Sequence, residues 1–173
     1  LSYNNVDENV DVGTAIGTFS TIDDDSNVHT YTLNTSDVPF EIIGNVLRTT
    51  RELNYEGGDQ SYDINVITRD NDGLSYEKEF TINVLNVNET PTHIQLTKTD
   101  IDEDAISGTV VGTFSTTDPD SGDSFSYTLN TSGVPFDISG NTLITKGALD
   151  YETQAASYTI NVTTRDNGGL TYS

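Results

Sequence analysis

Apolar and polar positions alternate along the chain in short runs. Tyr31 and Leu33, then Tyr62, Ile64 and Val66, then Phe80, Ile82 and Val84 place every second side chain on one face. That is the period of a strand with one face buried. No stretch repeats its apolar residues at helical spacing, so the pattern predicts an all-β chain. Turn signals separate the runs at Gly44-Asn45, Gly57-Gly58, Asp72-Gly73, Gly140-Asn141 and Gly168-Gly169. Their spacing fits sandwiches of about seven short strands each, joined as Greek keys. Phe19, Phe40 and Tyr62, with Phe114, Phe136 and Tyr158, fall inside the alternating runs and are expected to fill cores.

The pattern occurs twice. Glu8 recurs as Glu103, Gly17 as Gly112, Phe19 as Phe114, and Asp23 and Asp25 as Asp118 and Asp120, a period of about ninety-five residues. After a one-residue insertion in the second copy (Asp118-Pro-Asp-Ser-Gly-Asp123 against Asp23-Asp-Asp-Ser-Asn27), the match resumes. It runs through Leu33-Asn-Thr-Ser and Leu129-Asn-Thr-Ser, Val38-Pro-Phe and Val134-Pro-Phe, and Thr68-Arg-Asp-Asn and Thr164-Arg-Asp-Asn. Two tandem β-sandwiches are therefore expected, residues 1–88 and 89–173, with the hinge in the stretch from Leu85 to Thr92. The first copy carries the run Tyr76-Glu-Lys-Glu-Phe-Thr-Ile-Asn-Val-Leu-Asn86, whereas the second stops at Tyr172-Ser173. The second sandwich is expected to lack its last strand and to leave an unpaired edge on a strand from Tyr158 to Thr164. The pair reads as a fragment of a longer array, in which further chain, or another chain, completes it.

Charge narrows the partners. The 28 acidic residues against 7 basic ones give a net charge of -21, which opposes binding to nucleic acid or anionic membrane and favours a cation. Without cysteine a small extracellular domain needs another staple, and bound metal is the usual substitute. No apolar run is long enough to span a bilayer.

Calcium takes six to eight hard oxygen ligands, so several short acidic motifs must converge on it. The chain supplies five kinds: Glu8 and Glu103; Asp23 with Asp25 and Asp118 with Asp120; Asn54-Tyr-Glu56 and Asp150-Tyr-Glu152; Asp70 and Asp166; and the connector Asn86-Val87-Asn88-Glu89-Thr90. An EF-hand is excluded, because after Asp23-x-Asp25-x-Asn27 the required Gly is Val28 and the closing Glu is Asn34.

Taken in order, these motifs resemble the cadherin family, in particular the cadherin-like repeats of large bacterial surface adhesins, over the whole chain. The early Glu followed by Gly matches Glu8 with Gly13 and Glu103 with Gly108. The Asp-x-Asp pairs match residues 23 and 25, and 118 and 120. Leu149-Asp150-Tyr151-Glu152 matches the Leu-Asp-Arg-Glu motif, and Leu53-Asn54-Tyr55-Glu56 does so less closely. The linker looks like Asn86-Val87-Asn88-Glu89-Thr90-Pro91, one residue shorter than the family's. The resemblance implies calcium between successive repeats. The junction set would be Glu8, Asn54, Glu56, Asn86, Val87 (carbonyl), Asn88, Glu89, Thr90 (carbonyl), Asp118, Asp120 and Asp166. Asp23, Asp25 and Asp70 would face an upstream junction, and Glu103, Asp150 and Glu152 a downstream one. It further implies a calcium-dependent adhesion or extender module, extracellular, on the cell surface or secreted. Its partners would be neighbouring repeats and, by homophilic or other recognition, cell-surface proteins or glycans.

Two other readings stand beside it. A carbohydrate-binding module would need aromatics exposed on one face, and a purely structural scaffold would bind no partner. No nucleophile with its base is marked, since His29 and His93 are not repeated and lack a matched Ser or Cys motif; the chain does not read as an enzyme. Sequons at Asn34, Asn88, Asn130 and Asn161 would invite glycans in a eukaryotic secretory pathway. A glycan on Asn88 would obstruct the proposed site, which favours a bacterial origin.

Overall fold

The computed structural model describes residues 1–25 and 28–173. It divides into two compact units, Leu1–Val87 and Asn88–Ser173, each a β-sandwich. In the first, β1 (Asn5–Asp7), β3 (Thr30–Leu33), β6 (Ser61–Arg69) and β7 (Ser75–Leu85) form one sheet in the order β1-β7-β6-β3. The facing sheet is β2-β5-β4, from β2 (Ala15–Thr18), β4 (Phe40–Ile43) and β5 (Val46–Thr49). Strand β1 runs parallel to β7, and every other pairing is antiparallel.

The alternation does what its period demands. Along β6 and β7 the inward residues Ile64, Val66, Ile82 and Val84 are buried, and they meet Phe19, Phe40 and Leu47 from the facing sheet side. The repeated aromatics are spent in these cores: Phe40 lies edge-on to Tyr62 with centroids 5.3 Å apart, and Phe136 meets Tyr158 in the same way at 5.5 Å. The recurrence of Gly17 and Gly112 also has a packing cause. A Cβ on Gly17 would stand 2.4 Å from the carbonyl oxygen of Tyr3, and one on Gly112 would stand 2.6 Å from that of Lys98. In each unit the opening segment therefore lies directly over the second strand.

The second unit consists of β8 (His93–Leu96), β9 (Val110–Thr117), β10 (Ser126–Leu129), β11 (Phe136–Ser139), β12 (Thr142–Thr145), β13 (Val162–Arg165) and β14 (Thr171–Tyr172). Its sheets are β11-β12-β9-β8 and β10-β13-β14. The strand equivalent to the eleven-residue β7 is thus the two-residue β14. The strand expected from Tyr158 to Thr164 is a correction: it begins only at Val162. In the first unit, residues 61–65 of β6 pair with β7 alone, because β3 reaches only from Val66 to Arg69. Their equivalents, residues 157–161, have no strand in the place of β7 among the described residues, since β14 pairs only with Thr164 and Arg165. Ile160 and Tyr158 instead line a cleft of about 350 Å³ with Val111, Phe136 and Leu143.

Candidate metal centre

Topology gathers the acidic motifs at the ends of each sandwich. In the first unit, Glu8 follows β1, Asn54 and Glu56 precede β6, and Val87 follows β7. Since β1 is parallel and β6 antiparallel to β7, all lie at one end. Asp23, Asp25 and Asp70, in the β2–β3 and β6–β7 connections, lie at the other. The same alternation puts Glu103, Asp150 and Glu152 at one end of the second unit, and Asp118, Asp120 and Asp166, with Asn88 and Glu89, at its opposite end.

Glu8 is buried, with 2% of its surface exposed, yet it carries a carboxylate. Its Oε2 accepts from the Tyr55 amide at 2.6 Å and its Oε1 from the Val87 amide at 2.9 Å. A carboxylate oxygen of Glu56 lies within 4.8 Å of one on Glu8. Glu103 repeats half of this device, accepting from the Tyr151 amide at 3.1 Å. Asn54 accepts from the Gly57 amide through Oδ1, so it closes its own turn as an Asx residue does. Its counterpart Asp150 accepts from the amides of Glu152 and Thr153, both at 3.0 Å. The hydrogen bonds with Thr153, and then that from Glu152, hold the Asp150 carboxyl below its ordinary value against the effect of burial. Asn86 and Thr90 are exposed positions of the connector.

The set at the start of the second unit is the most enclosed. Asp120 and Asp166 are 6% and 5% exposed. The Glu89 amide donates to Asp120 Oδ2 at 2.6 Å, the Asp120 amide to Asp118 Oδ1 at 3.0 Å, and Asn88 Nδ2 to Asp166 Oδ2 at 3.1 Å. Asn88 is seated so closely over Gly168 that a Cβ there would overlap its amide. Desolvation pushes Asp166 up, but hydrogen bonds from Asn88 and from the amides of Leu170, Gly169 and Gly168 outweigh it and hold the carboxyl below its usual range. Asp118 goes the other way: burial raises it, the Asp120 amide offsets part of the shift, and the charges of Asp120, Asp123 and Asp166 add to it. Oxygens of Asp118, Asp120 and Asp123 lie within 4.8 Å of one another, and Oδ2 of both Asp118 and Asp123 is fully buried without a hydrogen-bond partner. Unpaired buried carboxylate oxygens in a group of like charges fit a hard cation.

The matching set in the first unit is looser. The Asp25 amide reaches Asp23 Oδ1 at 3.3 Å, Leu74 N donates to Asp70 Oδ1 at 2.9 Å, and His29 Nε2 lies 3.3 Å from Asp23 Oδ2. The bond shared with Asp23, and its charge, raise the Asp25 carboxyl, while Asp23 is lowered by its bonds with Asp25 and His29. Asn27, used above to exclude an EF-hand, lies outside the described residues.

Two side chains at these sites escaped the sequence reading. Asp123 has no acidic counterpart in the first copy and His29 no counterpart in the second, so a search for repeated residues passes over both. The signal for Asp123 was the stretch around the insertion, where an acid stands three residues after Asp120. Arg165 packs its guanidinium over Gly169 in the Asp166 loop.

Against known proteins, the chain is 32% identical over 180 residues to protocadherin gamma-A6 of Homo sapiens and 29% identical over 181 residues to protocadherin gamma-A2 of Pan troglodytes. Each alignment covers 94% of this chain and 19% of the relative. Extracellular cadherin domains 1–4 of protocadherin gamma B7 superimpose with a TM-score of 0.72 at 27% identity, over 99% of this chain and 46% of that one. The two units are cadherin-type domains. Human protocadherin-24 EC1-2 shares the fold, with a TM-score of 0.82 at 21% identity, over 96% of this chain and 84% of that one. No family model matches the chain. The chain spans about a fifth of the length of the curated relatives it matches. Cadherin-type domains of this kind are extracellular modules of cell-surface proteins, and no helix among the described residues is long and apolar enough to cross a membrane. These relatives are animal proteins, so the narrower expectation of a bacterial adhesin draws no support from them.

Proposed function

We propose that this cadherin-type pair is a calcium-dependent adhesion or extender segment of a cell-surface protein, in which calcium stiffens the connection between repeats. The carrying observation is the binding of the connector to acidic groups on both sides of one peptide link. The Val87 amide is held by Glu8, and the next two residues, Asn88 and Glu89, are held by Asp166 and Asp120. Glu8, Glu56, Glu89, Asp118, Asp120 and Asp166 would supply carboxylates, with Asn54, Asn86 and Asn88 and the carbonyls of Val87 and Thr90 as neutral oxygens. Asp23, Asp25 and Asp70, and Glu103, Asp150 and Glu152, would serve further junctions with neighbouring repeats. The cation supplies compensating positive charge; the chain supplies a prepaid geometry, since amide hydrogen bonds already fix the carboxylates of Glu8, Asp120 and Asp166.

The mechanism is mechanical. Without a cation, carboxylates gathered around a short connector repel one another and favour any motion that separates them. With calcium bound they favour one arrangement. Partners would be adjacent repeats and, through homophilic contact, copies on facing cells. Small-angle scattering of the 173-residue chain tests the reading: calcium should raise rigidity and fix the maximum dimension, while far-ultraviolet circular dichroism stays constant because the strands rest on apolar cores. Identical profiles in chelator and in several millimolar calcium would overturn it.

A further inference from the structure

We infer that Asp123 is an additional cation ligand of the second domain, carried into the Asp118–Asp120 set by the one-residue insertion at Gly122. This rests on the calcium reading above and deepens it, because it concerns a residue that the repeat pattern does not predict and that the first domain lacks.

The local backbone shows how the residue gets there. The Asp120 amide closes a turn onto Asp118 Oδ1, and Gly122 follows at φ +97°, a conformation that glycine adopts at little cost and L-residues rarely do. A Cβ at Gly122 would meet nothing within 4 Å, so glycine is needed there for its dihedral angle and not for space. Beyond the turn, the Ser124 amide donates to Asn167 Oδ1 at 3.2 Å, which ties the exit of the loop to the segment just after Asp166. Between these two anchors, Asp123 points a carboxylate oxygen to within 4.8 Å of oxygens on Asp118 and Asp120.

A merely solvated acid would turn its oxygens outward. Asp123 instead buries Oδ2 completely with no hydrogen-bond partner, as Asp118 does beside it. Each such atom carries an uncompensated desolvation cost, and the like charges add repulsion. A hard divalent cation compensates both, and calcium, which accepts many carboxylate oxygens in flexible geometry, suits the set better than magnesium. In the first domain the loop is one residue shorter, without the glycine, and the residue following Asp23-Asp-Asp25-Ser is Asn27. With Gly122 as the inserted residue, Asp123 stands where the first domain has Asn27, so the second domain has an acid at a position where its predecessor has a neutral side chain.

Asp123→Asn in the full chain tests this, measured by calcium calorimetry and by melting in chelator, with Asp137→Asn as a control that removes an exposed acid of the same domain. Asp123→Asn should weaken the tightest calcium site roughly 10-fold, in line with the dependence of such sites on ligand charge. In chelator it should melt higher than wild type, because repulsion is relieved. Gly122→Ala should weaken binding in the same direction by misdirecting the loop. If wild type binds calcium and Asp123→Asn binds it equally well, or no worse than Asp137→Asn, the ligand assignment is wrong while the calcium function stands. If Asp123→Asn is destabilised in chelator as much as in calcium, its role is structural and the assignment also falls. If wild type itself binds no calcium, the underlying function is at fault.

Discussion

The backbone amide of Glu89 donates to the carboxylate of Asp120 across 2.6 Å, a short, charge-assisted bond that ties the connector to the second domain before any cation arrives. Asp120→Asn keeps an acceptor for this bond and loses the charge, whereas Asp120→Ala loses both. In chelator, Asp120→Asn should unfold close to wild type and Asp120→Ala should lose about 1.5–3 kcal/mol, the usual worth of a hydrogen bond to a charged group. In calcium, both should fail to gain the stabilisation that wild type gains. Urea unfolding in the two conditions separates tether from ligand, and equal calcium stabilisation of all three proteins would remove Asp120 from the metal shell.

Glu8 and Glu103 occupy equivalent positions with unequal duties. Glu8 is buried and satisfies two amides, those of Tyr55 and Val87; Glu103 is exposed and satisfies that of Tyr151. In chelator, Glu8→Ala leaves two part-buried amides without their acceptor and should cost about 1–3 kcal/mol, while Glu103→Ala should cost about 1 kcal/mol or less. Equal losses on urea unfolding would mean that the Glu8 bonds are weaker than their geometry indicates.

The strands could be read from the sequence because a two-residue period is a local property, and the duplication marked the stretch in which one compact unit gives way to the next. What could not be read depends on partners distant in sequence. Nothing in Ser157-Tyr158-Thr159-Ile160-Asn161 distinguishes it from Ser61-Tyr62-Asp63-Ile64-Asn65 as a strand former; only the neighbouring β7 makes the latter one. The acidic motifs were found by repetition, so Asp123, present in one copy alone, went unseen. Asn54 was recognised by its alignment with Asp150, while its Asn-x-x-Gly spacing also signalled the turn it closes onto Gly57.

Asn54→Asp follows from that pair. Aspartate accepts the same amide as asparagine and adds a charge near Glu8 and Glu56, as Asp150 does in the second domain. Calcium binding at the first domain's end should tighten several-fold, because ligand charge tunes such sites, and melting in chelator should fall. Calorimetry that shows no gain would place Asn54 outside the shell and leave it a turn residue.

Asp118 supplies a pH signature. Burial raises its carboxyl in the folded chain, so the folded state holds that proton more tightly than the unfolded state does. The contribution to stability is complete below the unfolded value and is lost as pH rises through the raised one. Asp118→Asn abolishes the loss. In chelator the variant should therefore melt higher than wild type at neutral pH, with the gap closing on acidification, and in calcium it should melt lower. A gap in chelator that does not change with pH would show that Asp118 titrates alike in both states.

The cleft beside β13 permits a constructive test. In the first domain β7 places Phe80 opposite Ile64 and Ile82 opposite Tyr62, and the equivalent floor in the second domain holds Ile160 and Tyr158. Tyr172 already pairs with Thr164 in the register that Tyr76 adopts with Thr68. Appending the residues from Lys78 to Leu85 after Ser173 should continue β14 in that register, fill the cleft with alternating apolar side chains and extend β13 back to Ser157. Burying each large apolar side chain contributes about 1.5–3 kcal/mol, set against the ordering of the added backbone at about 1–2 kcal/mol per residue, so the new ladder and the recovered order of residues 157–161 must supply the surplus. The readout is hydrogen exchange: the amides of Tyr158 and Ile160 should pass from rapid exchange to the protection shown by Tyr62 and Ile64. A version with Ser replacing the equivalents of Phe80 and Ile82 should give no protection. Protection in that version as well would mean that backbone pairing alone rebuilds the strand, and that the apolar floor of the cleft does not select what covers it.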